Sequence, residues 1–318
     1  MKLSTDRFRS SLITLAVLPA LVALATCRAG TAPEAVGGAA HVVVLGFDGM
    51  GTDGVQRAAT PVMQDLMKRG AYTLHARGVF PTVSSPNWAS MIMGAGPEQH
   101  GVTSNDWQPD KFQIAPVCTG SGGIFPTIFG LLRQQRPTAV IGVFHDWDGF
   151  GRLLEAKAPD LLKDGDGPDN TMDLAIAFVK EKKPALTFVQ CDHVDHAGHE
   201  YGWGTPEYYA SVAKADALVG KMLAALDEVG IARETIVLVA ADHGGVGKKH
   251  GGMTVAELEI PWIIAGPGVA AGKGITGPVS IVDTAATIAY VLGLTPPSCW
   301  TGKPVVAAFA LTAAKAKR

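Results

Sequence analysis

Four short apolar runs stand out along the chain: HVVVLGF at His41–Phe47, TAVIGVF at Thr138–Phe144, ALTFVQC at Ala185–Cys191 and TIVLVAA at Thr235–Ala241. Each is nearly unbroken and rich in β-branched residues, the pattern of a strand covered on both faces. Trp262–Ala265 adds a fifth run. Between them apolar residues return at helical spacing. Thr60-Pro61 opens a helix through Arg69, a capping residue followed by proline in the first turn. Pro206 to about Val229 carries Val212, Ala215, Leu218, Val219 and Met222, and Asp283-Thr284 starts a helix running from Val282 to about Leu292. Strand and helix in alternation predict an α/β domain with a doubly wound, mostly parallel sheet flanked by helices. Residues 106–169 break the pattern. They are loaded with Gly, Pro and Asp, interleaved with Trp107, Phe112, Phe125, Trp147 and Phe150. They read as a small inserted cap, closing over a ligand or simply packed on itself.

The amino terminus reads differently. Lys2, Arg7 and Arg9 precede an uncharged apolar stretch from Ser10 to Cys27. A positive flank, an apolar middle broken by Pro19 and small residues near Ala23 and Ala25 describe a cleaved secretory signal rather than a membrane anchor. Leu24-Ala25-Thr26-Cys27 also looks like a lipoprotein cleavage box, which would leave Cys27 lipidated, although threonine is not the usual residue before the cysteine. The expected organisation is a signal over 1–27, a flexible leader over 28–40, a catalytic domain over 41–310 and a tail over 311–318. Export to the periplasm or the exterior follows, with membrane contact only through a lipid at Cys27.

An exported chain meets an oxidising environment. Beyond Cys27 only Cys118, Cys191 and Cys299 remain, an odd number that leaves at least one free thiol. Cys118 with Cys299 is one bridge this allows. No cysteine pair has zinc-finger spacing, so a metal must be held by histidine and carboxylate. The 27 Lys+Arg against 29 Asp+Glu leave a formal charge of −2, without the basic excess of a nucleic-acid scaffold. Hydrophobic residues at 47% and charged residues at 18% exclude a disordered or coiled-coil protein.

Candidate chemistry gathers where the apolar runs end. Asp48 follows the first; Asp195 and His199 lie just past the third, in DHVDHAGH; Asp242-His243-Gly244 follows the fourth, and His250 comes soon after. In an open parallel sheet ligands bind at the carboxyl ends of the strands, so these groups should converge on one edge. Asp also starts turns and caps helices, but three such strands with five of the nine histidines beside them exceed what capping explains. Carboxylates and imidazoles without thiolates suit zinc first, with manganese or iron behind it. Repulsion among Asp48, Asp195 and Asp242 would be severe without cations, and two divalent ions would remove it.

The same residues resemble the alkaline phosphatase superfamily, and within it the type I phosphodiesterase/nucleotide pyrophosphatase family. FDGM, FPTVSSPNWASMIMGAGPEQHGVTSNDW, VDHAGHEYG, DHG and KKHGGMTVAELEIPW carry the likeness, in order, from about Val42 to Pro304. The resemblance implies one metal held by Asp195, His199 and His250 and another by Asp48, Asp242 and His243, with the nucleophile's hydroxyl as a further ligand. The nucleophile stands two residues before the proline of a Pro-Asn pair, which is Ser84 here, with Thr82 and Ser85 as nearby alternatives. The family commonly has threonine there, whereas phosphatases often use serine. Asn105 would donate to a non-bridging phosphoryl oxygen; read without the family it is a turn residue. A helix from about Ser85 to Met93 would place its amino end beside the phosphoryl group. The implied activity is zinc-dependent hydrolysis of a small phosphate ester, of phosphodiesterase or nucleotide pyrophosphatase type, through a phosphoseryl intermediate.

Other readings use the same residues. An alkaline phosphatase-like phosphomonoesterase would need a cation to clamp the doubly charged group, and Arg77, Arg133 and Arg152 are the arginines available, with no motif to place them. A formylglycine sulfatase needs arginine where Trp88 stands. A non-catalytic metal- or glycan-binding protein on the same fold would be missing a ligand or the nucleophile, and all seven positions hold usable residues. His193 and His196 either orient the metal ligands or face water, and His100 packs or caps near the site.

Overall fold

The computed structural model describes residues 38–310. The signal, the Cys27 box, most of the leader and the 311–318 tail therefore lie outside the described residues. The strands are β1 His41–Phe47, β2 Ala71–Arg77, β3 Ile141–His145, β4 Leu161–Asp164, β5 Leu186–Cys191, β6 Thr235–Ala241, β7 Glu259–Ala265 and β8 Lys273–Gly274. They form one sheet in the order β4-β3-β5-β1-β6-β7-β2-β8. From β4 to β6 every pairing is parallel; β7 runs antiparallel to both β6 and β2. The expected doubly wound, mostly parallel α/β architecture is what the chain adopts.

The strands read from unbroken apolar runs are the central ones. Every residue of β5 and β6 is buried, and β1 is buried from Val42 onward. The run at 138–144 enters its strand late because the Ala139 amide closes a turn on the Arg136 carbonyl. In β7, Pro261 lacks the N–H a ladder needs, and it falls where the register of β2 slips between Thr73 and Ala76. β2 itself was not anticipated. AYTLHAR is half exposed and polar, and it becomes a strand by pairing with β7.

Helices cover the sheet. Pro61–Arg69 begins as expected, but Thr60 does not cap it: its hydroxyl donates to the Val55 carbonyl. The amides of Val62 and Met63 go instead to the carboxylate of Asp216, on the Pro206–Glu228 helix. One buried aspartate thus fastens two helices that are far apart in sequence. Asp283 heads the Asp283–Val291 helix and accepts from the amides of Ser280 and Lys303.

The 106–169 stretch divides. Its first part is loops and turns, tied to the carboxyl-terminal segment by a Cys118–Cys299 disulfide. From Ile128 it supplies a helix, Ile128–Gln135, and then β3 and β4, which extend the main sheet. Phe150 belongs to the core, stacked on Phe188 of β5 at 5.2 Å. Cys191 is the free thiol, and it is buried.

Gly46 in β1 shows how the core reaches the strand ends. A Cβ there would stand 2.6 Å from the ring of Trp88, whose indole runs over the strand toward Asp48. Gly46→Ala is expected to cost about 1–3 kcal/mol in urea unfolding and to loosen the Trp88 side chain. An unchanged midpoint would mean the ring has room to shift.

Candidate metal centre and nucleophile

Because β1 lies between β5 and β6, the carboxyl ends of the three strands form one edge. Asp48 leaves β1, Asp242 and His243 leave β6, and the helix His193–Tyr201 that follows β5 presents Asp195 and His199 one turn apart. Gly49, with φ +68°, turns the chain just after Asp48, and its amide donates to Asp242 Oδ1 at 3.0 Å. A Cβ on Gly49 would meet Asp195 Cα at 2.7 Å, so this close approach requires glycine.

Two triads emerge, each with ligand atoms within 4.8 Å of one another: Asp195, His199 and His250, and Asp48, Asp242 and His243. In the first, His199 Nε2 is 3.3 Å from Asp195 Oδ2, His250 Nε2 is 3.6 Å from Asp195 Oδ1, and the two Nε2 atoms are 3.1 Å apart. In the second, His243 Nε2 lies 3.3 Å from both Asp48 Oδ1 and Asp242 Oδ2. The rings of His243 and His250 stack at 3.9 Å, which joins the two groups.

These residues fit divalent cations on three observations. The Nδ1 atoms of His199, His243 and His250 each sit 2.9–3.0 Å from a backbone carbonyl, of Lys248, Gly244 and Thr82. A carbonyl accepts only, so each Nδ1 carries a proton and Nε2 is the atom turned into the site, where its lone pair can meet a cation once that nitrogen is unprotonated. Two such lone pairs at 3.1 Å repel unless a proton or a cation stands with them. Finally, Asp195 Oδ1 and Asp242 Oδ2 are buried without a hydrogen-bond partner.

The electrostatics carry the same message. Burial, then the charge of Asp48, pushes Asp195 up to about 7. Burial and Asp48 likewise raise Asp242 well above the carboxylate range. Asp48 moves the other way: burial opposes its ionisation, but His243 outweighs it by hydrogen bond and charge, assisted by the Trp88 indole. Trp88 Nε1 donates to Asp48 Oδ2 at 2.7 Å. Burial would pull His243 down, yet Asp242 and Asp48 push it up to about 10. His250 falls to about 4 through burial and the facing charge of His243.

The Ser84–Met93 helix places the nucleophile candidate at its first residue, one earlier than expected. Ser84 Oγ lies 3.4 Å from Asp48 Oδ1 and 3.3 Å from His243 Nε2. The two alternatives point elsewhere. The Thr82 hydroxyl donates to the Gly252 carbonyl, and Ser85 Oγ faces Arg152 at 3.5 Å. Of the amides in the helix's first turn, that of Ser85 donates to Asn105 Oδ1, Pro86 has none and that of Asn87 reaches the Val83 carbonyl. The Ser84 N–H is therefore the donor this helix end has left for a ligand, fewer than a free amino end would offer. The bond from Ser85 fixes the Asn105 amide with its NH2 group as the outward donor.

Sequence reasoning missed two acids. Asp192 forms a third group with Asp48 and Asp195, and Asp146 accepts from the Asp192 amide at 2.6 Å. Burial and the neighbouring carboxylates raise them to about 8 and about 7. Asp146 sits at the end of β3 as Asp48 does at the end of β1, so the strand-end signal was there, obscured by reading 106–169 as an insertion. Among the histidines, His196 faces solvent beside Glu200, 3.5 Å away, and His193 is enclosed edge-on to Phe47. His100 packs near the site, where its Nε2 is 3.0 Å from Ser90 Oγ and its Nδ1 accepts from the Val102 amide.

The chain matches the family model described as Type I phosphodiesterase / nucleotide pyrophosphatase over residues 42–252. Ectonucleotide pyrophosphatase/phosphodiesterase family member 1 of Homo sapiens is 25% identical over 197 residues, 58% of this chain and 21% of that protein. An uncharacterized pyrophosphatase/phosphodiesterase of Schizosaccharomyces pombe is 23% identical over 225 residues, 64% of this chain and 44% of the relative. The chain thus spans less than half the length of either. Among solved structures, an inactive form of murine ectonucleotide pyrophosphatase/phosphodiesterase 5 in complex with AMP aligns with a TM-score of 0.68 at 17% identity, covering 81% of this chain and 96% of that one. Wild-type alkaline phosphatase PafA aligns with a TM-score of 0.72 at 13% identity, covering 86% and 99%.

The buried carboxylates make a directional prediction for the metal-free protein. Folded Asp146, Asp192 and Asp195 keep protons up to about 7, 8 and 7, where an unfolded chain has already released them. His243 holds its proton up to about 10, well above the ordinary 6.5 of an imidazole. The folded state then binds more protons than the unfolded one, so stability falls as pH rises. With chelator, the melting temperature is expected to drop steadily from about pH 6.5 to about pH 9, and zinc should abolish the drop. A flat or rising profile in chelator would show that these acids are not held together.

Proposed function

The chain belongs to the type I phosphodiesterase/nucleotide pyrophosphatase family, and from that footing we propose that it hydrolyses phosphoric ester or phosphoanhydride bonds by transferring the phosphoryl group to Ser84. The observation that carries this is the place of the Ser84 hydroxyl, against Asp48 and His243 at the meeting of the two triads. Asp195, His199 and His250 would hold one ion and Asp48, Asp242, His243 and Ser84 the other. Such ions, zinc by donor chemistry, supply Lewis acidity that lowers the pKa of a hydroxyl and offsets negative charge on oxygen.

The chain's own groups do the rest. Ser84 Oγ attacks phosphorus in line as the ester oxygen leaves, giving a phosphoseryl enzyme that water hydrolyses. The amide of Ser84 and the NH2 group of Asn105 stand ready to donate to the non-bridging oxygens, and Asn105 is held for this by the Ser85 amide. Trp88 fixes the Asp48 carboxylate from below. We take residues 41–310 as the catalytic domain and the chain as exported. The secretory pattern at the amino terminus and the Cys118–Cys299 bridge support export. AMP in the murine structure supports a small nucleotide-like phosphate ester as ligand.

Ser84→Ala should reduce turnover of bis-p-nitrophenyl phosphate by about three orders of magnitude or more while leaving bound zinc near normal. Full turnover in that variant would move the nucleophile to another residue. His250→Ala should remove about one zinc per chain by elemental analysis, and retention of both ions would break the ligand assignment.

A further inference from the structure

Of the three arginines the sequence offers to a phosphoryl group, two are committed elsewhere. Arg77 is exposed and lies 3.7 Å from Glu259. Arg133 donates to the carbonyls of Ala158 and Pro137 and to Asp160 Oδ2, at 2.9, 2.6 and 2.7 Å. Arg152 is different. It closes the short helical turn Asp148–Gly151 after β3, and its guanidinium comes down on the nucleophile turn. Its Nη2 donates to the Asn105 carbonyl and lies 3.5 Å from the Oγ of Ser85, the neighbour of Ser84. The guanidinium carbon is 5.9 Å from the centre of the Trp147 ring.

Arginine ion pairs among the described residues are made by Arg57, Arg69, Arg77 and Arg133, not by Arg152. Its Nε, moreover, is buried with no hydrogen-bond partner. A guanidinium carries five N–H donors in a fixed fork, and here only Nη2 is engaged. An uncompensated buried donor on a permanent charge is unfavourable and calls for an acceptor. The fork matches an oxyanion with two oxygens to offer, a carboxylate or a phosphoryl group. Beside Ser84, Ser85 and Asn105 the phosphoryl group is the oxyanion in question.

We propose that Arg152 contacts the non-bridging oxygens of the phosphoryl group bound at Ser84 and reads its charge, so that the site accepts phosphomonoesters as well as the diesters its family is named for. The proposal rests on the Ser84 reading above. A monoester brings two negative charges on three free oxygens, whereas a diester brings one charge on two. A neutral groove at this place would favour the diester; a guanidinium without a carboxylate partner gains more from the dianion. Arg152 thereby acts on substrate choice, and through the Asn105 carbonyl it also steadies a second donor to the same group.

The test compares the full-length, zinc-loaded protein with its Arg152→Ala and Arg152→Lys variants at equal metal content. It reads kcat/KM for p-nitrophenyl phosphate and for bis-p-nitrophenyl phosphate, and the affinity for inorganic phosphate by calorimetry. Arg152→Ala is expected to lower kcat/KM for the monoester by about 100-fold and to lower the diester value about tenfold less. Phosphate binding should weaken in parallel, and Arg152→Lys should recover part of both. Equal losses on the two substrates would reduce Arg152 to a prop for Asn105 and overturn the proposal, as would an unchanged monoester rate. If the unaltered protein turns over neither substrate, the Ser84 reading fails. Phosphate affinity then decides Arg152 alone: equal affinity in wild type and Arg152→Ala overturns it, and a loss sustains it.

Discussion

The structure turns on the mutual repulsion of buried carboxylates. Asp48 and Asp242 are fully enclosed and Asp195 nearly so, and their oxygens lie within the reach of single ions. In a dry strand-end crevice such charges cannot coexist uncompensated. The chain meets part of the demand with a protonated His243 between Asp48 and Asp242, and leaves the rest as unpaired oxygens on Asp195 and Asp242. Folding without cations therefore stores an unfavourable cluster that metal binding relieves, which couples metal occupancy, pH and stability in one set of residues.

Holding that cluster together requires stiffness underneath it. Asp48 is anchored by an indole N–H, and the indole has room only because β1 carries glycine at position 46. Gly49 lets the chain turn within contact distance of Asp195, and its carbonyl accepts from both Trp203 Nε1 and the Tyr208 hydroxyl. The histidines are oriented from behind by backbone carbonyls, so their Nε2 atoms are aimed at the site before any ligand arrives. Such preorganisation explains why the core, rather than any lid, accounts for the geometry.

The opposite wall of the site is built from less regular parts. The nucleophile helix ends at Gly94 in a left-handed turn, and the Gly94 carbonyl receives the amides of Thr301 and Gly302 from the carboxyl-terminal segment. The Cys118–Cys299 bridge joins that same segment to the loops that follow Asn105. Arg152 reaches the site from beyond β3. On the proposed reading this wall would meet the phosphoryl group, with Ser84 shared between it and the metal centre, while the other candidate ligands come from the strand ends.

The sequence alone determined the central strands and the acids and histidines at their ends, while a family resemblance singled out Ser84 as the candidate nucleophile. β1, β5, β6 and their trailing Asp and His residues are legible because a strand buried on both faces must be apolar along its whole length. Any charged residue at its end is then conspicuous. Only the tertiary structure decided the rest. β2 is written in half-polar residues, and its strand character comes from β7. The cap of the Pro61–Arg69 helix is Asp216, more than a hundred residues away, and not Thr60. Nor could spacing tell which of three arginines lies against the nucleophile turn. Strand identity is a local matter of periodicity and burial, whereas the partner of a cap, an edge strand or a long cationic side chain is set by what folding brings beside it, and no short window of sequence contains that neighbour.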